Sequence, residues 1–249
     1  MTEPQVNVTN LQRASCCASL DSRLDMCGRT ECLQSCPLSD PSNYAHLMEN
    51  GNNKAFFLET SGRPMLKYRQ ACAIESLARL NPNTSVHLLM TSQNIDYDSP
   101  VMKTLLANFP SNFDVTSIDV GDYITDTPLE HWYFCTTWNY GPHPVVHLSD
   151  ALRLLTLFKF GGYYFDLDVI HIRSLGSLRN FFVAEDQKKV GNDVLHADRG
   201  HLLIELAHEE FQINYKCVFK IVFYTIAIKH INIVIYLVGI RGLTTVLTC

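Results

Sequence analysis

Asp166 and Asp168 stand two residues apart in Tyr163-Tyr164-Phe165-Asp166-Leu167-Asp168-Val169-Ile170-His171-Ile172, a run otherwise made of strand-forming residues. In an extended chain, residues i and i+2 point to the same side, so the two carboxylates are expected together at a strand end. Two such anions repel unless a cation lies between them. Hard divalent ions such as Mg²⁺ or Mn²⁺ take one or two carboxylates and fill their shell with diphosphate oxygens and water. The pair therefore reads as a seat for a metal-diphosphate. A second pair, Asp96 and Asp98, lies among Asn, Ser and Pro, where solvated turn acids are expected. The flanks make the difference, because apolar neighbours leave Asp166 and Asp168 little solvation. A hydrolase with the pair as acid and nucleophile fits less well, since such carboxylates share one side rather than flank a bond.

The element just upstream must position them. A helix is predicted over 149–160, with Ser149 as its cap, Asp150 in its first turn and an apolar stripe of Leu152, Leu154, Leu155 and Phe158. Asp150 and Arg153, spaced i, i+3, share the opposite face. They read either as a surface ion pair or as groups that reach a sugar hydroxyl and a phosphate. Gly161-Gly162 ends the helix, and could equally let the backbone approach a ligand.

Further back, apolar runs alternate with helical stretches from Lys54 onward. Strands are predicted at 55–58, 86–90 and 114–118, with helices at 67–80 and 99–109. Strands alternating with helices argue an α/β fold with a mostly parallel sheet. The stretch 120–147 is turn-rich and holds Trp132, Tyr133, Phe134, Trp138 and Tyr140, read as packing aromatics. Residues 1–53 read as a loop-rich leader or stem, 54–214 as the main domain and 215–249 as an apolar tail.

The 249 residues are 47% hydrophobic and 18% charged, an ordinary globular composition. The formal net charge is −5 with no basic stripe, so nucleic acid is not an expected partner. Five of the nine cysteines, Cys16, Cys17, Cys27, Cys32 and Cys36, fall in the leader without paired zinc spacing. The sequons Asn7-Val8-Thr9 and Asn83-Thr84-Ser85 accept glycans only in a secretory lumen. No signal or anchor segment is read in residues 1–30. Residues 217–240 are apolar at 18 of 24 positions, but Lys229 and His230 at the centre argue against a membrane span.

Leu148-Ser149-Asp150-Ala151-Leu152-Arg153-Leu154-Leu155, followed by Lys159-Phe160-Gly161-Gly162-Tyr163-Tyr164-Phe165-Asp166-Leu167-Asp168, resembles the signature of one DXD-containing glycosyltransferase family. That family comprises the α1,4-galactosyltransferases and α1,4-N-acetylglucosaminyltransferases. Phe56-Phe57-Leu58-Glu59-Thr60-Ser61 is similar to its first strand and uridine-side loop, and 71–79, 126–129, 190–195 and 201–211 keep its order.

The resemblance implies a GT-A fold that binds a nucleotide sugar with Mn²⁺, the donor being UDP-galactose and the acceptor a β-galactoside of a glycolipid such as lactosylceramide. It implies Asp166 and Asp168 as metal-side groups and Asp150 and Arg153 as catalytic donor-holding groups. Phe57, Glu59, Gly161 and Gly162 would line the donor. Retention of configuration, without a carboxylate nucleophile, is implied as well. So is a Golgi membrane location with a lumenal catalytic domain, through an anchor not seen in this sequence. UDP-N-acetylglucosamine is the rival donor. The segment after Tyr215 departs from the family pattern, so a C-terminally truncated, inactive glycosyltransferase-like protein is the rival role.

Overall fold

The computed structural model describes residues 41–215, apart from 50, 52, 137, 141 and 185–189. Six strands, β1 (Lys54–Glu59), β2 (Ser85–Met90), β3 (Phe113–Ser117), β4 (Gly162–Phe165), β5 (Phe181–Ala184) and β6 (Val190–Ala197), form one sheet in the order β3-β2-β1-β4-β6-β5. The pairings β1–β2, β2–β3 and β1–β4 are parallel, while β6 runs antiparallel to both β4 and β5. The helices are α1 (Tyr68–Leu80), α2 (Pro100–Asn108), α3 (Val120–Ile124), α4 (Glu130–Cys135), α5 (Pro144–Phe160) and α6 (Leu202–Asn214).

A central parallel strand is covered on both faces, which is why every residue of β1 is buried. Its alternate side chains divide between two layers. Ala55 and Phe57 join Ile74 and Leu77 of α1 and Met102 and Leu105 of α2, whereas Phe56 and Leu58 join Leu152, Leu155 and Phe160 of α5. The chain winds outward from β1 to β3, then crosses back through α5 to enter β4 on the other side of β1. At such a reversal the helices diverge and leave a crevice beyond the carboxyl ends of the two strands.

Three boundaries differ from expectation. Among the described residues, packing already includes a 3-10 stretch, Pro41–Met48, inside the predicted leader, because Tyr44 and Leu47 enter the core beside α3 and the Lys54 ammonium donates to the Leu47 carbonyl at 2.8 Å. Helix α5 starts at Pro144 rather than Ser149, since proline at the first helical position needs no N–H partner. The strand leading into the aspartates stops at Phe165 rather than continuing to Ile172. There the Asp166 N–H turns to the Asp193 carbonyl at 2.8 Å, and the Val169 N–H closes a turn on the Asp166 carbonyl at 3.1 Å. The pair therefore sits in a turn after the strand, not in extended backbone, and the expected i, i+2 alternation does not hold through Asp168.

The readings of the aromatic stretch and of the second aspartate pair are met, apart from Tyr140. Trp132, Phe134 and Trp138 are buried in short helical segments of the aromatic stretch, with the two indoles 5.1 Å apart, while Tyr140 is exposed. Asp96 caps its own turn by accepting the Asp98 N–H at 3.0 Å, and Asp98 meets Lys103 at the surface. Among the described residues no helix is long and apolar enough to cross a membrane. The leader cysteines, Asn7 and the tail after Tyr215 lie outside the described residues.

Candidate active site

Four segments converge at the carboxyl end of β4. Asp150 and Arg153 come from the middle of α5, Tyr164 and Asp166 from β4 and its end, Asn192 and Asp193 from the start of β6, and Glu59 closes β1 next door. Asp150 and Arg153 are not on a solvated face, as the surface ion-pair reading would have it. They are 0% and 4% exposed, because α6 and β6 pack against α5.

Arg153 organises the cluster. Its Nη2 lies 3.3 Å from Asp150 Oδ1 and its Nη1 3.2 Å from Asp166 Oδ1. The same Nη1 donates to the Asn192 carbonyl. Ser149, expected as a helix cap, instead accepts from Arg153 twice, through its carbonyl at 3.2 Å and its hydroxyl at 3.0 Å. The guanidinium stacks over the Tyr164 ring at 4.9 Å, and the Tyr164 hydroxyl donates to Asp166 Oδ1 at 2.6 Å. Asn192 Nδ2 donates to Asp150 Oδ1 at 2.7 Å, so that carboxylate is held from two sides.

The charges do not cancel. One cation, Arg153, faces Asp150 and Asp166, with Asp168 and Asp193 close enough to act on Asp166. Burial raises the Asp166 pKa above the usual carboxylate value; Arg153 and the Tyr164 hydrogen bond pull it back, and the charges of Asp168 and Asp193 push it further up. Asp193 Oδ1 is buried and has no hydrogen-bond partner among the described residues. Excess negative charge with a buried acceptor left over is an environment that a hard divalent cation would satisfy. Asp168 is exposed at the turn, open to a ligand. Among the described residues, no group of three or more His, Cys, Asp or Glu side chains is close enough to hold a metal by itself, so most of a cation's shell here would come from ligand oxygens and water.

The remaining predicted donor residues divide. Glu59 is 4% exposed at the end of β1; Ser61 donates to its Oε1 at 2.5 Å, and its Oε2 is buried with no partner among the described residues. Phe57 is a core residue instead, fully buried and tilted against Phe165 at 6.0 Å, and it presents no surface to a ligand. Gly161 (φ 67°) turns the chain out of α5. Gly162 (φ 102°) makes a close approach to β1 rather than to a ligand, since a Cβ there would lie 2.6 Å from the Lys54 carbonyl oxygen. Asn192, Asp193 and Tyr164 lie in segments that carry the resemblance, but no spacing argument gave them a role; their place in the sheet does.

The glycosyltransferase sugar-binding region containing the DXD motif matches residues 67–189, which hold α5 and the Asp166 turn. The chain carries this family's DXD region over just under half of its length. It is 32% identical over 184 residues to the lactosylceramide 4-alpha-galactosyltransferase of Homo sapiens, covering 72% of this chain and 51% of that protein. The gorilla protein of the same name gives the same identity and length, with 55% of its sequence covered. The human alpha-1,4-N-acetylglucosaminyltransferase is 32% identical over 142 residues, 55% of this chain and 42% of that one. The chain thus spans about half the length of the curated relatives it matches. Among solved structures, the PaToxG glycosyltransferase superposes with a TM-score of 0.50 at 18% identity, over 70% of this chain and 64% of that one, a likeness of GT-A fold.

Proposed function

We propose that this glycosyltransferase moves galactose from UDP-galactose to the terminal β-galactoside of lactosylceramide in α-1,4 linkage, with retention and with Mn²⁺. The Arg153 clamp carries the proposal: one buried guanidinium joins the helix carboxylate Asp150 to the first aspartate of the DXD turn, at the sheet edge where an α/β crevice opens. The names of the relatives support the sugar and the acceptor.

Asp166 and Asp168 would hold the cation, which when bound offsets charge developing on the departing diphosphate. Arg153 fixes Asp166 so that its carboxylate keeps one orientation toward the turn. Asp150, held by Asn192 and Arg153, is an acceptor for a hydroxyl of the donor sugar, and the buried Oε2 of Glu59 is an acceptor for a donor group of the nucleoside. Neither carboxylate is assigned as a nucleophile. The lumen of the Golgi is the proposed compartment, supported by Cys72, which is disulfide-bonded and so suits an oxidising environment.

The test is UDP release from UDP-galactose by the full chain with lactosylceramide, with and without Mn²⁺. Metal-dependent and acceptor-dependent release is expected, and Asp168→Ala should lower it by about 10²–10³-fold, the scale for losing one charge-stabilising group. Preference for UDP-N-acetylglucosamine would move the donor to the second relative's sugar. A folded chain that turns over neither donor would overturn the proposal.

A further inference from the structure

The amino edge of the sheet, opposite the candidate active site, carries a built and outward-facing sequon. Asn83 sits at the third position of the turn Asn81–Thr84, closed by the Thr84 N–H on the Asn81 carbonyl at 3.0 Å, and it is exposed. The turn is braced from below. Asn53 Nδ2 donates to the Asn83 carbonyl, Thr84 Oγ1 donates to Asn53 Oδ1 at 3.2 Å, and Asn112 Nδ2 donates to the Asn81 carbonyl at 3.3 Å. Asn81 accepts the Leu175 N–H on its own Oδ1 at 2.7 Å. The neighbouring amides thus turn inward to hold the backbone, while Asn83 stands at the surface of the turn.

We propose that Asn83 is an N-glycan acceptor. In the secretory lumen its Nδ2 would attack C1 of the first N-acetylglucosamine of a lipid-diphosphate-linked oligosaccharide. The C1–N bond forms as the C1–O bond to the diphosphate breaks; the lipid diphosphate leaves and the amide nitrogen loses one proton. Ser85 completes the sequon, and once folded it is the first residue of β2 with its N–H on the Asn53 carbonyl at 3.2 Å. A transferase needs that tripeptide free of the sheet, so addition precedes pairing of β2.

Two further observations fit. The Cys72 disulfide suits the oxidising compartment in which glycans are added. The 6 residues of β2 separate Asn83 from the carboxyl edge by roughly 20 Å at the usual strand rise, so a glycan there leaves the crevice open.

The experiment is peptide mapping of the full chain passed through the secretory pathway of cultured eukaryotic cells behind a cleavable signal, before and after an amidase that removes N-glycans. The expected result is a glycan on the peptide containing Asn83, and aspartate in its place after release. Ser85→Ala should remove that glycan with Asn83 intact, Ser85→Thr should keep it, and Asn83→Gln should abolish it. An unmodified Asn83 peptide in secreted chain overturns the proposal, whether or not Asn7 is modified. So does a glycan that survives Ser85→Ala.

Discussion

A guanidinium as buried as that of Arg153 gives up its hydration and regains it from Asp150, Asp166, Ser149 and the Asn192 carbonyl. Burial alone would lower its pKa; Tyr164, Asp166 and Asp150 outweigh that and raise it. Removing it strands two acids, so Arg153→Ala should cost about 3–5 kcal/mol, read from a urea midpoint. Arg153→Lys keeps the charge but loses the planar fork that spans both carboxylates. That variant should fold yet release UDP about 10²-fold more slowly. Equal rates would mean that a point charge suffices. The spacing of Asp150 and Arg153 was legible in sequence because it is local and helical. Asn192 and Asp193 were not, because they arrive on an antiparallel strand whose register no nearby residue announces.

Elements bring these side chains together, and two joints between elements bear most of the constraint. At the first, Gly162 takes a φ that L side chains avoid while its α-hydrogens face the Lys54 backbone. Gly162→Ala should therefore lower stability by about 1–3 kcal/mol in a thermal or urea melt, and an unchanged midpoint would show that β1 can yield. At the second, Leu47 is buried in the 3-10 stretch that Lys54 ties to β1. Leu47→Ala should cost about 2–5 kcal/mol, although sequence pattern placed that residue in a leader. Helices were legible because their period runs over about ten residues or more, and the parallel strands because they are short apolar runs between them. The short 3-10 stretch and the end of β4 are set by tertiary contacts, which leave no period to read, and the early start of α5 rests on one proline.

On the scale of the whole molecule, four buried histidines store a pH response. His87, His171, His196 and His208 all have pKa values pushed down to about 4 by burial. The unfolded chain binds their protons near pH 6.5, so stability is complete above that value and falls as pH drops toward 4. Each histidine should remove about 1–2 kcal/mol between pH 7 and pH 5, seen as a falling urea midpoint. A flat profile over that window would rule out this burial effect. The wiring of the clamp also sets when the site can exist. Arg153 reaches Asp166 across 13 residues, but its bond to Asn192 spans 39, and Asn192 meets Asp150 across 42. A chain still emerging from the ribosome can have β1 to β4 in place while Asp150 still lacks its Asn192 bond. On the proposed function, the donor site would be complete only once β6 has docked, so donor binding would serve as a clock for the last stage of folding.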